Sequence, residues 1–168
     1  PAIYVSHSQD KKKNPLTYEQ KISLGRQAFG KVIKPSRART IIEVAKELSG
    51  KYNDLIVVVG SDRVNEFNTL LNKYNGKDFT FDNIEVVSAG ERDPDSEGVE
   101  GMSASKMRAL AADGNFEEFR RGLPKKLQRS AKKVYDMVRG GLGMTEEVDM
   151  DEEYLEERAP LSIAQRRR

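Results

Sequence analysis

The sequence predicts an α/β fold: a doubly wound, mostly parallel sheet with helices on its faces. Three observations carry that expectation. Leu55-Ile56-Val57-Val58-Val59 is five consecutive apolar residues, the pattern of a strand covered on both sides in a parallel sheet. Shorter β-branched runs at Ala2–Ser6, Lys31–Lys34 and Ile84–Ser88 alternate with helical patterns. The polar loops His7–Pro15, Gly60–Asp62 and Ala89–Gly101 each follow a strand candidate, so they should gather on one edge, where such sheets bind ligands.

Taken in order, Ala2–Ser6 reads as a short buried strand that ends in a lysine-rich polar loop. Thr17 with Gln20 three residues later forms a capping box, opening a helix to about Phe29. Thr40 caps a second helix whose Ile41, Val44, Ala45 and Leu48 make an apolar stripe closed by Gly50. After Leu55–Val59, the turn Gly60-Ser61-Asp62 offers Asp62 as the cap of a helix carrying Val64, Phe67, Leu70, Leu71 and Tyr74. Ile84–Ser88 leads into the polar loop with Glu91, Arg92, Asp93 and Asp95, for which turn chemistry and a ligand edge are both available readings. A helix then runs from Ser103 to Asp113 with Gly114 as its stop, and a shorter one spans Phe116–Arg121.

From Pro124 the character changes. Leu127, Ala131, Val134, Tyr135 and Val138 follow helical spacing with basic residues opposite, and Gly140-Gly141 and Gly143 are expected to break that helix. Three segments result: an α/β domain over 1–124, a basic amphipathic helix over 125–139, and an acidic tail over 140–168 expected to be mobile.

The 168 residues are 37% hydrophobic and 33% charged, with a net charge of +2 that is unevenly spread. Residues 1–50 hold ten basic and four acidic side chains, and residues 144–157 hold eight acids and no base. Absent cysteine excludes disulfides and thiolate chemistry, and the lone His7 excludes a multi-histidine metal centre. No apolar run has the roughly 18 residues a membrane span requires, and the start lacks a signal-peptide pattern, so a cytoplasmic setting without a membrane partner is expected.

Gly101-Met102-Ser103-Ala104-Ser105-Lys106-Met107-Arg108 is the most informative segment. Unpaired N–H groups and the positive end of the dipole make a helix start a seat for phosphate. Ser105 and Arg108 are i and i+3, so both fall on neighbouring positions of one face. An ordinary N-cap at Ser103 with a solvent-facing arginine explains the same residues.

This segment resembles the Ile-Ser-Ser-Thr/Ser-x-x-Arg signature of the nucleotidyltransferase superfamily that includes phosphopantetheine and nicotinamide-mononucleotide adenylyltransferases. Val59-Gly60-Ser61-Asp62 is similar to that family's Gly-Ala/Ser-Asp turn, and Ser6–Leu16 to its acceptor loop. The likeness covers residues 2–124 and is nearest to nucleotidyltransferase-like proteins of large tailed phages. It implies a Rossmann-like sheet of order 3-2-1-4-5. The Gly-x-Phe-x-Pro-x-His-x-Gly-His signature that follows the family's first strand is not in this sequence. The expected sheet therefore lacks strand 1, the missing βα unit is expected upstream, and the chain alone is expected to be inactive. His7 reads as a polar loop residue rather than a replacement for the family's histidines.

The resemblance further implies nucleotidyl transfer from a nucleoside triphosphate to a phosphate or hydroxyl acceptor, with Mg²⁺ and pyrophosphate release. Ser103, Ser105 and Arg108 would hold the triphosphate, with Arg108 as the catalytic group. Gly60 would admit the ligand to the backbone, Asp62 would orient the acceptor or cap its helix, and Lys12 would meet a small phosphorylated acceptor. The lysine loop is equally explained as a solvated turn. A binding or interaction module without catalysis is the alternative. Nucleic-acid binding through 125–139 ranks last, and a homo-oligomer is left open.

Overall fold

The computed structural model describes residues 1–91 and 102–144. It is a mixed α/β arrangement with two hydrophobic clusters. Helix α1 (Tyr18–Phe29) begins at the expected capping box, with Thr17 Oγ1 accepting from the Gln20 N–H and Gln20 Oε1 accepting from the Thr17 N–H. Helix α2 (Ile41–Leu48) repeats the device with Thr40 and Glu43. Strand β1 (Asp54–Val59) leads through a 3-10 turn at Ser61–Arg63 into α3 (Val64–Tyr74), and β2 (Asn83–Ser88) follows. Helices α4 (Ala104–Ala112), α5 (Phe116–Arg121), α6 (Lys125–Gln128) and α7 (Ala131–Gly141) complete the described chain.

β1 and β2 form a parallel pair in which Leu55 lies beside Ile84 and Val57 beside Val86. These four side chains face α2 and α3, over a core of Ala45, Leu71, Phe79 and Phe81. The opposite face is open. Ile56 and Val58 are 65% and 61% exposed, which corrects the expectation of burial on both sides of β1. The helices of this cluster cover one face only, and β2 is the only strand paired to β1 among the described residues.

The two other strand candidates shrink. Ala2–Ser6 and Lys31–Lys34 meet in one parallel bridge, Ile3 to Ile33, and a 3-10 turn at Gly30–Val32 takes up the rest of the second. Ile3 is exposed, not buried, whereas Ile33 is buried against α1. The expected helix over 125–139 is two helices, interrupted at Arg129-Ser130. Its apolar positions Leu127, Ala131, Val134, Tyr135 and Val138 are all buried with Leu24, Ala28, Leu110, Ala111 and Phe119 in the second cluster. Arg139 donates to the Ala111 carbonyl (2.7 Å), placing a cation at the C-terminal end of α4 where the dipole favours it. Residues 145–168, which hold most of the acidic tail, lie outside the described residues. Among the described residues no helix is long and apolar enough to cross a membrane.

The two clusters are tied at Ser36. Its carbonyl accepts from Tyr18 Oη (2.9 Å), its N–H donates back to the same hydroxyl (2.9 Å), and its hydroxyl reaches the Glu47 carboxylate of α2.

Gly140 and Gly141 are the last two residues of α7, with Gly143 at φ +80° just beyond, so the helix ends where the glycines are expected to stop it, and Gly141 also lets that end reach the loop before α1. A methyl group built on Gly141 overlaps the Pro15 carbonyl oxygen, whereas one on Gly140 meets nothing within 4 Å. The neighbouring glycines therefore predict opposite signs. Gly141→Ala should cost about 1–3 kcal/mol or more by overpacking and lower the melting temperature by at least several degrees. Gly140→Ala should raise stability by up to ~1 kcal/mol through helix propensity. Equal shifts for both in thermal denaturation would contradict this packing.

Candidate functional site

Ser103 is the N-cap of α4, with extended backbone (φ −101°, ψ 159°) and its Oγ accepting from the Lys106 N–H at 3.0 Å. The Ser105 hydroxyl lies 3.3 Å from that of Ser103. The two hydroxyls thus converge at the helix start, where the first-turn N–H groups have no carbonyl one turn earlier. Arg108 follows one turn later, half-buried, and its guanidinium makes no ion pair or hydrogen bond with the described residues. A half-buried cation without a partner favours an anion beside it.

Across from Arg108 lies the loop before α1, which is organised by Asp10. One carboxylate oxygen accepts from the N–H groups of Lys12 (2.8 Å) and Lys13 (2.6 Å), and the other accepts from the Asn14 side-chain amide (2.8 Å). The Asn14 amide, then the Lys13 and Lys12 N–H groups, hold the Asp10 carboxyl well below the usual carboxylate range. The turn sets which lysine reaches the site. Lys13, not Lys12, lines a cavity of about 350 Å³ together with Arg108, Ala104 and Met107 of α4 and Leu24 and Ala28 of α1. Lys21 lines the same cavity, but its amine is committed. It donates to the Ser6 carbonyl and hydroxyl (both 3.1 Å) and to the Ser8 carbonyl (2.7 Å), and burial pushes its pKa down.

Of the three expected loops the structure brings one to this cavity, His7–Pro15 through Lys13, Asn14 and Pro15, beside Ala104, Met107 and Arg108 of α4; most of Ala89–Gly101 lies outside the described residues. Gly60 and Asp62 do not line this cavity. The expected capping role of Asp62 is also corrected: neither the 3-10 turn nor α3 has a side-chain cap. Asp62 instead folds back towards Gly60, where an added Cβ would sit 2.7 Å from its Oδ1. Glycine at 60 thus makes room for the carboxylate. His7 is held by a 2.8 Å hydrogen bond between Nε2 and the Ser36 carbonyl, and by stacking on Tyr18 at 3.7 Å. Glu91 is exposed, while Gly101 and the loop residues Arg92, Asp93 and Asp95 lie outside the described residues.

Sequence reasoning missed the cavity itself, along with the α1 residues that line it, and singled out Lys12 from a lysine loop of which Lys13 lines the cavity. The small residues Gly25 and Ala28 of α1 line it beside Leu24, with Gly25 also making room for Ile33. Among the described residues no group of three or more His, Cys, Asp or Glu side chains is placed to hold a metal ion. Comparison with protein-family models, with curated proteins and with solved structures finds no match.

The Asp10 turn has a direct pH consequence. Because the folded-state pKa is depressed, its stabilising contribution is present above the unfolded value of ~3.9 and is lost as pH falls through the folded value. A carboxyl carbon NMR titration should give Asp10 a midpoint below ~3.9. Asn14→Ala should move that midpoint upward, since the Asn14 amide is the largest cause. An ordinary aspartate midpoint in the unaltered protein would show that the turn does not set the loop in solution.

Proposed function

We propose that this chain is a nucleotidyltransferase-like protein that binds a nucleoside triphosphate at the start of α4. The observation that carries the reading is the unpartnered, half-buried Arg108 one turn beyond the paired hydroxyls of Ser103 and Ser105, with Lys13 across the same cavity. Ser103 and Ser105 hydroxyls and first-turn N–H groups would hold phosphate oxygens, and Arg108 would neutralise the charge that develops on them. In the transfer step an acceptor oxygen attacks the α-phosphorus in line. The bond from that phosphorus to the bridging oxygen breaks, and pyrophosphate leaves with the electron pair. A magnesium ion fits as one carried by the triphosphate, since such ions are bound largely by substrate phosphates with one or two carboxylates. Asp62, exposed and uncapped, is the carboxylate available to orient an acceptor. Lys12, exposed on the Asp10 turn, is available to meet an acceptor phosphate.

The sheet fits the same reading. The parallel bridge Ile3–Ile33 and the parallel pair β1–β2 would be the two flanks of a doubly wound sheet of order 3-2-1-4-5, and the exposed outer face of β1 is compatible with further cover.

A second reading, nucleotide binding without turnover, is favoured by one observation. The only histidine is locked between Tyr18 and the Ser36 carbonyl, so no imidazole is free to assist a transferred phosphate. On both readings this chain binds nucleotide.

Isothermal titration with magnesium-ATP and magnesium-CTP tests the binding. Saturable binding of at least one is expected, and Arg108→Ala should weaken it about tenfold or more, the scale of a lost charged hydrogen bond. Affinity unchanged by that substitution would remove Arg108 from the phosphate site. Asp62→Asn should leave the melting temperature within about a degree of the unaltered protein, because it caps no helix.

A further inference from the structure

The cavity beside Arg108 is the wrong chemistry for the polar part of a nucleotide. Its walls are hydrocarbon: Leu24 and Ala28 from α1, Met107 from α4, and Phe119, Leu127 and Val134 from the helices that follow. A nucleobase pushed among them would surrender hydrogen bonds to water with few replacements, a cost of kilocalories for each polar group. A hydrocarbon chain placed there gains from leaving water. The same cavity also carries two cations. Lys13 and Arg108 both line the cavity and make no ion pair with the described residues. Lys21 contributes only its stem, because its amine is fully used by Ser6 and Ser8.

We propose that this groove binds an anionic amphiphile: a hydrocarbon body seated between α1, α4 and α7, with a phosphate or carboxylate head held by Lys13 and Arg108. At about 350 Å³, the space suits a chain of roughly ten methylene groups, each taken as comparable to the ~30 Å³ a water molecule occupies in the liquid. The apolar rim is extended by Phe29, which is 57% exposed at the end of α1 and lines the same cavity. The inference shares Arg108 and Lys13 with the nucleotide reading but rests on the groove and needs no triphosphate.

Calorimetric titration with decyl phosphate, kept below its micelle concentration, provides the test, with inorganic phosphate, decanoate and 1-decanol as comparisons. One decyl phosphate per chain should bind, at least tenfold more tightly than inorganic phosphate. Decanoate binding comparably would identify the head requirement as negative charge, and decyl phosphate well ahead of decanoate would identify it as phosphate. Both agree with the proposal. Lys13→Glu and Phe29→Glu alter exposed side chains, so the fold should survive, as checked by circular dichroism. The first should weaken decyl phosphate about tenfold, and the second should weaken decyl phosphate while leaving inorganic phosphate unchanged.

Decyl phosphate binding no better than inorganic phosphate would overturn the inference. So would affinity indifferent to both substitutions, or a dimer that forms without ligand and is abolished by Phe29→Glu, which would put a second copy in the groove. The two readings fail separately. Loss of decyl phosphate binding with magnesium-ATP binding intact refutes the groove alone, and the converse refutes only the nucleotide.

Discussion

The approach of α7 to the backbone of Pro15 is the constraint on which the rest of the site depends. At Gly141 there is no room for a side chain, so the end of α7 lies directly against the loop that precedes α1. That contact fixes the loop from behind while the Asp10 carboxylate ties it from within. With both restraints in place, Lys13 and Arg108 line one cavity. Widen the contact, and the cavity, the spacing of its two cations and the burial of Val138 all change together.

A second constraint acts on the sheet. Two parallel strands are marginal by themselves, because parallel pairing is slightly weaker than antiparallel and needs a packed face for support. β1 and β2 obtain that face from α2 and α3 and, among the described residues, have none on the other side. The sheet cluster therefore keeps apolar area in water at Ile56 and Val58. Its attachment to the helical cluster runs through polar bonds at Ser36, from Tyr18 on one side and to Glu47 on the other. A polar tie of this kind sets orientation through directional bonds more than it adds net stability, since each bond replaces one with water.

Local features were legible in the sequence and non-local ones were not. The boxes at Thr17/Gln20 and Thr40/Glu43 close within three residues, so the pattern contains its own explanation. The same holds for Ser103 at the start of α4 and for Gly114, at φ +78°, just beyond its end. Leu55–Val59 announced a strand, but whether Ile56 is covered depends on what packs against it, and no run of five residues contains that. Gly140-Gly141 marks the end of α7, as glycine's low helix propensity suggests, but nothing local shows what Gly141 packs against. At Gly141 the lost propensity is outweighed by a packing contact with Pro15, a residue far away in the chain. Lys12 and Lys13 were indistinguishable as sequence, and only the Asp10–Asn14 turn separates the one that lines the cavity from the one that does not.

Arg108 sits where two kinds of chemistry meet, and its position explains why both proposals pass through it. On one side are the hydroxyls of Ser103 and Ser105 and the positive end of α4. On the other is hydrocarbon. The stem of an arginine can lie along apolar surface while its planar head forks towards oxygen, which a lysine ammonium does less well. On either proposal an arginine placed there favours an anion over a neutral ligand of the same shape, and the shape of the groove would then decide among anions.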